Sequence, residues 1–327
     1  MSDVLRDRFG REFHYLRLSI TDACNFKCGY CLPDGYQKKA QKKNLSLMEI
    51  ERLLRAFSET GCRKVRITGG EPSLRKDFPE IIEATAQTSG IDIVAATTNG
   101  FRLKRDAQRW FNAGLKRINI SIDSLNPYLF HQITGENRLN DILEGIDRAV
   151  ELGYERIKIN VVLLKGVNDT QLPAFLTWIQ DKPIDLRFIE LMQTGLGQSF
   201  FENYFTEGES LKKNLIERGW VRETHVESDG PAQNFTHANS LGRIGLILPY
   251  SKDFCLSCNR LRVSSTGQLH LCLFGDQGID LRDLLQSDSQ KLELIERLHL
   301  QLKEKKATHF LHQGETGVRD HLASIGG

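Results

Sequence analysis

The segment Cys24-Asn25-Phe26-Lys27-Cys28-Gly29-Tyr30-Cys31 carries three thiols at C-x3-C-x2-C spacing. Three thiols this close in sequence can contact a single small ligand only if the loop folds around that ligand. The chain has seven cysteines, which fall into this triplet, a second triplet and the isolated Cys62. Cys62 follows Gly61 and precedes an apolar stretch, which is typical of a small buried side chain. Close thiol clusters in a reducing compartment indicate metal ligation rather than disulfides.

Charge and hydropathy exclude several classes of protein. The 327 residues include 44 Lys and Arg against 42 Asp and Glu, a formal net charge of +2. This balance is not that of a general nucleic-acid or membrane binder, so any anion site has to be built locally. No run of about 18 apolar residues occurs, and the start of the chain is charged rather than apolar. We therefore predict a soluble, cytoplasmic protein with neither a membrane nor a nucleic-acid partner.

Strand patterns alternate with helix patterns from residue 14 to about residue 192, which predicts a parallel sheet. The predicted strands are 14–20, 64–68, 91–98, 117–122, 156–163 and 184–191. The predicted helices are 47–60, 77–88, 103–112, 139–152 and 171–179. Spacing alone does not decide whether six βα units form a closed, partial or open structure. An α/β barrel with an appendage fits the length as well as two domains do.

Polar side chains alternate with apolar ones along several of these strands. The polar positions are Arg17, Ser19, Arg66, Thr68, Asn119, Ser121, Asp123, Lys158, Asn160, Asp185 and Arg187. A parallel strand covered on both faces normally reads as continuous apolar sequence. Because the helices need the apolar face, the polar face is predicted to line a wet or ligand-filled interior. An open sheet with one solvated face is the alternative.

The alternation of strand and helix patterns ends after Met192. Residues 195–205 are predicted to form a long irregular connection, followed by a helix at 210–218 and a turn at 230–231. Strands are predicted at 243–249, 260–264 and 268–273, and a helix at about 287–306.

Cys255, Cys258 and Cys272 form the second triplet, at C-x2-C-x13-C spacing. Each triplet offers three ligands, whereas structural zinc sites usually take four. Three thiolates on a four-iron cluster leave one iron for an outside ligand, so iron-sulfur clusters are favoured at both triplets. A zinc ribbon that lacks one ligand stays an alternative for the second.

Arg260 and Arg262 lie on one face of the strand that leaves the second triplet, with Leu261 on the other face. The planar guanidinium group of arginine can donate two parallel hydrogen bonds to phosphate oxygens. Together with the cations of the predicted interior, they indicate a polyanionic ligand.

Thr68-Gly69-Gly70-Glu71-Pro72 ends the second strand. Paired glycines let a ligand approach the backbone closely, although an ordinary strand-to-helix turn would read the same. With the first cysteine loop, this motif resembles the radical S-adenosylmethionine superfamily. The resemblance implies a partial (βα)6 TIM-type barrel in which a 4Fe-4S cluster cleaves S-adenosyl-L-methionine to a 5'-deoxyadenosyl radical.

Further motifs resemble one family of that superfamily, the GTP 3',8-cyclases of molybdenum-cofactor biosynthesis. They are Tyr15 to Asp22, Arg66 before Thr-Gly-Gly-Glu-Pro, Ser121-Ile122-Asp123-Ser124, Lys158-Ile159-Asn160, Phe188 to Met192, the C-x2-C-N-R-x-R loop and the terminal Gly326-Gly327. In this family the Gly-Gly tail reaches into the active site. The resemblance implies a partial barrel at 1–195 and a C-terminal cluster-bearing extension at 196–327.

The resemblance also implies roles for individual residues, none of them a protein acid or base. Cys24, Cys28 and Cys31 would hold the first 4Fe-4S cluster, and Cys255, Cys258 and Cys272 the second, which meets the substrate. S-adenosylmethionine would contact Tyr30, Gly70, Ser121 and Met192. GTP would contact Arg17, Arg66, Thr97, Lys158, Arg260, Leu261 and Arg262. Arg187 could serve either ligand.

The implied activity is a lyase reaction. The radical takes the ribose 3' hydrogen of GTP and C3' joins guanine C8, giving (8S)-3',8-cyclo-7,8-dihydroguanosine 5'-triphosphate. The implied partners are an external electron donor and a downstream pterin-forming enzyme, and a homodimer is allowed. The alternatives are a two-cluster radical enzyme acting on a peptide and, from another class, a zinc-containing nucleic-acid-binding protein.

Overall fold

Six parallel strands follow one another in chain order at the centre of the molecule. A computed structural model describes residues 4–37, 43–193, 198–224, 230–251, 254–275, 278–314, 316 and 325. The central strands are β1 (Tyr15–Ser19), β2 (Lys64–Thr68), β3 (Ile93–Thr98), β4 (Arg117–Ser121), β5 (Arg156–Leu163) and β6 (Ile184–Glu190). All six predicted strands are confirmed, and their unclosed, parallel arrangement confirms the predicted partial barrel.

Helices cross over between these strands and cover the apolar face of the sheet. They are α1 (Leu47–Glu59), α2 (Phe78–Gln87), α3 (Leu103–Asn112), α4 (Pro127–Thr134), α5 (Leu139–Glu151) and α6 (Leu172–Ile179). The predicted capping box is present at α1, where Ser46 accepts from the backbone of Glu49 and Glu49 accepts from that of Ser46. Such a cap stabilises a helix by about 0.5–2 kcal/mol.

The strand alternation separates a core from a cavity. Leu16, Leu18 and Ile20 are fully buried in one continuous apolar core beneath the helices. Arg17, between them, projects into a cavity on the other face of the sheet. The polar face therefore lines an interior space, as the sequence predicts, and the alternative of a solvated open face is wrong.

The C-terminal part of the chain extends the same sheet at both edges. Its helices are α7 (Gln198–Tyr204), α8 (Gly208–Glu217) and α9 (Lys291–Leu302). Its strands are β7 (Val221–Arg222), β8 (Gln233–Thr236), β9 (Arg243–Ile247), β10 (Arg260–Val263), β11 (Gln268–His270) and β12 (Ile279–Asp280). The strand order is β12-β11-β10-β1-β2-β3-β4-β5-β6-β9-β8-β7, with β10 parallel to β1 and β9 parallel to β6.

Several elements differ from the sequence-based expectation: the short strands β7, β8 and β12 were not predicted, and two helices also differ. Helix α7 lies within the stretch predicted to be irregular, and that prediction is wrong for the part the structure describes. Phe200 stacks on Tyr204 and Phe201 on Phe205, at ring-centroid distances of 4.5 and 4.7 Å, and this four-residue spacing is helical. Helix α4 was not predicted, although Asn126 caps it and Pro127 opens it.

None of the helices in the described part of the chain combines the length and the apolar character of a membrane span.

Candidate functional site

The first cysteine loop opens onto a cavity of about 170 Å³, here called the cysteine-loop cavity. Its lining includes every residue that the sequence analysis placed at the first cluster or at S-adenosylmethionine. These are Cys24, Cys28, Cys31, Tyr30, Gly70, Ser121 and Met192. The predicted side chains therefore converge at the carboxyl ends of the central strands, where α/β barrels place their sites.

The glycines of the Gly-Gly-Glu-Pro motif let the cysteine loop lie directly on strand β2. The Gly70 amide donates a 2.8 Å hydrogen bond to the Thr21 carbonyl. A Cβ atom at Gly70 would lie 2.4 Å from the Ala23 carbonyl oxygen and 2.6 Å from that of Asp22. These carbonyl groups belong to the backbone and cannot move aside as a flexible side chain can, so only glycine fits at position 70. The close approach that the sequence predicted for a ligand is therefore made by another part of the chain itself.

Glu71 joins this motif to the next strand. Its buried carboxylate accepts from the Ser73 amide at 2.9 Å, the Thr98 hydroxyl at 2.8 Å and the Asn99 amide at 2.6 Å. Burial raises the pKa of Glu71. Asn99 in turn donates a 2.9 Å hydrogen bond to Asn25 of the cysteine loop. This network, which sequence reasoning missed, fixes the loop from the neighbouring strand ends.

A larger cavity of about 310 Å³, here called the cationic cavity, adjoins the first. It is lined by all three residues of the second triplet and by all six of the predicted cations. Its lining includes Arg17, Arg66, Lys158, Arg187, Arg260, Arg262, Cys255, Cys258 and Cys272. A pocket of this size fits a small-molecule ligand.

Strand register explains how the arginines meet. Arg17 of β1 is paired with Arg66 of β2 on one side and with Arg262 of β10 on the other. Three guanidinium groups from distant parts of the sequence thus form one row across adjacent strands. Local periodicity predicted the facing of each residue, but the pairing of β10 with β1 is visible only in the folded chain.

Several cations of the cationic cavity are buried close together, which lowers the pKa values of Arg17 and Lys158. Burial, with Arg66 and Arg260 nearby, lowers the pKa of Arg17 to about 10. Burial, with Arg187 and Arg156 nearby, lowers the pKa of Lys158 to about 5, although the Asp185 carboxylate at 3.8 Å opposes the shift. Like charges held in a dry cavity are costly unless an anion joins them. The arrangement favours a ligand with several negative charges.

Polar atoms that lack partners point to the same conclusion. Within the described ranges, the Nε atoms of Arg17 and Arg66, Oγ1 of Thr97 and Oδ1 of Asn160 are buried without a hydrogen-bond partner. Buried polar groups are normally satisfied. Atoms left unpaired on the walls of these cavities fit polar ligands, and three thiols beside each set fit iron-sulfur clusters.

No three His, Cys, Asp or Glu side chains in the part of the chain that the structure describes converge where a single metal ion would be held.

Two predicted GTP-site residues take different positions from the rest. Thr97 lines the cysteine-loop cavity rather than the cationic one. The Leu261 side chain is 2% exposed and belongs to the apolar core. Their roles stay predictions.

Other lining residues were missed by the sequence analysis. Tyr15 and Lys64 precede Arg17 and Arg66 by two positions, so strand alternation could have found them. Burial raises the pKa of Tyr15, but Arg66, Arg17 and Lys64 outweigh it and lower the value to about 8. Asn259 and His309 also line the cationic cavity, and no periodic signal marks either.

The two cavities share a wall formed by Asn160, Ile189 and Met192, which line both. A ligand bound at the first triplet is therefore next to one bound among the arginines. Such an arrangement can bring a reactive group formed in one cavity to a substrate held in the other, which is a contribution of proximity.

The tail prediction is tested only in part. Ile325 is fully buried, and Nη1 of Arg262 donates a 3.2 Å hydrogen bond to its carbonyl. The chain end thus reaches the arginine row. Gly326 and Gly327, which carry the predicted motif, lie outside the described residues.

Comparison with family models gives two matches. The Radical SAM superfamily model matches residues 18–179, and the Molybdenum Cofactor Synthesis C model matches residues 184–311.

Curated relatives match over the whole length. The chain is 62% identical over 323 residues to the GTP 3',8-cyclase of Shewanella denitrificans, covering 99% of this chain and 96% of that protein. It is 57% identical over 329 residues to the GTP 3',8-cyclase of Vibrio vulnificus, covering 100% and 98%.

Solved structures share the fold at low sequence identity. Streptococcus suis SuiB bound to S-adenosylmethionine matches with a TM-score of 0.60 and 15% identity, covering 89% of this chain and 68% of that chain. The anSMEcpe structure with bound AdoMet and a peptide matches with a TM-score of 0.52 and 15% identity, covering 87% and 83%.

Proposed function

The chain belongs to the GTP 3',8-cyclase family of the radical S-adenosylmethionine superfamily, and we propose that its two cavities divide the chemistry of this family between them. The chain is a lyase of molybdenum-cofactor biosynthesis with two 4Fe-4S clusters. It joins C3' of GTP to guanine C8 after removal of the ribose 3' hydrogen, giving (8S)-3',8-cyclo-7,8-dihydroguanosine 5'-triphosphate. The peptide-modifying and zinc-binding alternatives are not favoured.

We assign the cysteine-loop cavity to radical formation. Cys24, Cys28 and Cys31 would hold the first cluster, and Tyr30, Gly70, Ser121 and Met192 would contact S-adenosylmethionine. When bound, the cluster and S-adenosylmethionine supply the 5'-deoxyadenosyl radical. The chain contributes a loop fixed by Glu71 and by the close packing at Gly70. Burial raises the pKa of Cys24 to about 11, so ligation has to displace its proton.

We assign the cationic cavity to GTP. Arg17, Arg66, Arg262, Arg260 and Lys158 would bind the triphosphate and orient the nucleotide, while Cys255, Cys258 and Cys272 would hold the second cluster beside the base. Thr97 and the backbone of Leu261 would complete the site. The support is the row of buried guanidinium groups whose Nε atoms at Arg17 and Arg66 have no partner among the described residues.

One observation supports the assignment of radical formation and GTP binding to two neighbouring cavities. Asn160, Ile189 and Met192 line both cavities, so the two ligands would lie against the same wall. When both ligands are held in place, the radical and GTP react within one complex instead of after a collision in solution. The barrel interior also shelters the radical from water. Positioning, rather than acid or base catalysis, is the main work of this chain's residues.

Several finer points remain proposals. We propose that residues 1–195 act as the radical-forming unit and residues 196–327 as the substrate-selecting unit. An external reductant, a downstream pterin-forming enzyme, a cytoplasmic location and a homodimer stay predictions.

An anaerobic assay with GTP deuterated at C3' tests the proposal. The cluster-loaded protein, S-adenosylmethionine and a strong reductant should give 5'-deoxyadenosine that carries deuterium, together with a cyclised guanosine triphosphate. GTP deuterated at C2' is the control and should transfer none. If S-adenosylmethionine is cleaved while GTP is never consumed, the assignment of the cationic cavity to GTP is wrong.

A further inference from the structure

A buried lysine lies next to the second cysteine triplet. Lys305 follows helix α9 and is 3% exposed. It lines a cavity of about 240 Å³ that adjoins the cationic cavity, since Cys272 lines both. This position is outside the cationic cavity, so Lys305 is not one of the residues assigned to GTP.

The ammonium group of Lys305 has only uncharged neighbours among the contacts that the structure gives it. Nζ donates a hydrogen bond to the carbonyl of Leu271, the residue before Cys272, and lies 5.3 Å from the centre of the Phe13 ring. Across the described ranges, no Asp or Glu forms an ion pair with Lys305. An unbalanced buried charge costs several kcal/mol. Its retention calls for a negative group nearby.

Arg11 joins the segment that follows Lys305 to the second cysteine triplet. The Arg11 guanidinium donates to the Cys255 carbonyl at 3.0 Å and to the carbonyls of Lys306 and Ala307 at 2.8 Å each. Its own charge is balanced by Asp7 at 2.7 Å. Arg11 thus links the N-terminal segment, the segment after Lys305 and Cys255. Unlike Arg11, Lys305 has no carboxylate partner among the described residues.

Lys305 lies close to the second triplet. Its ammonium group donates to the carbonyl of the residue before Cys272, and Lys305 and Cys272 line the same cavity. A four-iron cluster with three thiolates carries a net negative charge, which grows by one on reduction. Net charge and nearby hydrogen bonds are among the factors that set cluster potentials.

We propose that Lys305 is the buried counter-cation of the second cluster and that its positive charge stabilises the reduced cluster. Lys305 is then a positioning residue that acts through the cluster rather than on GTP. The inference rests on the assignment of Cys255, Cys258 and Cys272 as ligands.

The test compares redox titrations of the cluster-loaded full-length protein, followed by electron paramagnetic resonance. The signal of the second cluster is identified as the one missing from Cys258→Ala. In Lys305→Met, the ratio of reduced to oxidised second cluster at the wild-type midpoint should fall about tenfold, which is about 59 mV for a one-electron couple. Lys305→Arg, which keeps the charge, should stay near wild type.

Lys306→Met is the matched control, because it removes the same charge from an exposed neighbouring position. An unchanged midpoint in Lys305→Met would overturn the proposal. So would an equal fall in Lys306→Met or in Lys305→Arg, since the effect would then not depend on a buried charge at this position.

Iron content keeps the test decisive if Lys305→Met does not retain the second cluster. Loss of about four of the eight irons in Lys305→Met, with full iron in Lys305→Arg, supports the proposal, whereas equal loss in both overturns it. If Cys258→Ala keeps both clusters, the ligand assignment itself fails, and the proposal falls with it.

Discussion

The Tyr30 hydroxyl donates a 2.8 Å hydrogen bond to Oδ2 of Asp123 and so ties the first cysteine loop to the end of strand β4. The other carboxylate oxygen, Oδ1, accepts from the Val162 amide at 2.8 Å, which adds the end of β5. Asp123 is buried, and burial raises its pKa to about 6. One carboxylate therefore holds three segments around the cysteine-loop cavity.

Tyr30→Phe should loosen this junction, because it leaves Oδ2 of Asp123 buried without its donor. We expect the free energy of unfolding to fall by about 1–3 kcal/mol and 5'-deoxyadenosine formation to slow. Urea denaturation of the ligand-free protein and a single-turnover assay would measure the two effects. Tyr128→Phe is the control, since Tyr128 is 69% exposed. Equal stability of Tyr30→Phe and Tyr128→Phe would contradict the structural role of this bond.

Lys158 should take up a proton when GTP binds. Its pKa is about 5 in the ligand-free cavity, against about 10.4 for an unperturbed lysine. At pH 7 the free amine is therefore neutral, and a neighbouring triphosphate favours the charged form. Because the complex binds more protons than the free protein, GTP affinity should fall as pH rises above about 5.

Calorimetry in two buffers of different ionisation enthalpy would count the protons. We expect an uptake of about one proton in the wild type and none in Lys158→Met. Lys165→Met, at an exposed position on the turn after β5, should keep the wild-type uptake. Proton uptake that survives in Lys158→Met would assign the effect to another group.

The end of the chain should matter for GTP but not for radical formation. Ile325 is fully buried and its carbonyl accepts from Arg262, which lines the cationic cavity. Deleting residues 325–327 removes this acceptor, so GTP turnover should fall at least about tenfold, the equivalent of 1.4 kcal/mol. S-adenosylmethionine cleavage without GTP should be unchanged. Ile325→Val keeps the carbonyl and should behave as wild type, and a truncated chain that cyclises GTP at the normal rate would refute the prediction.

Local pattern accounts for what could be predicted from the sequence. The alternation of Arg17 with Leu16 and Leu18 predicted strand β1 and also predicted that Arg17 points away from the apolar core, because successive side chains of a strand point to opposite faces. The three thiols of each triplet lie close in sequence, and each set lines one cavity.

Pairings between distant segments could not be predicted in this way. Nothing local to Arg262 states that β10 will lie beside β1, and the row of arginines depends on that register. Nor could the sequence predict the hydrogen bond from Tyr30 to Asp123 or the position of Lys305 next to Cys272. Helix α7 was missed because its glycine-rich approach outweighed the spacing of its aromatic side chains.

Cys258→Ala should separate the two clusters. Cys258 and Cys272 line the cationic cavity, whereas Cys24, Cys28 and Cys31 line the cysteine-loop cavity, so removal of one thiol from the second set should not disturb the first. We expect Cys258→Ala to lose about half of its iron, to cleave some S-adenosylmethionine without coupling and to form no cyclised product. Cys62→Ala is the matched control, since Cys62 is fully buried in the core and lines neither cavity. It should keep all its iron, and complete loss of both clusters in Cys258→Ala would mean that the second triplet supports the fold of the whole barrel.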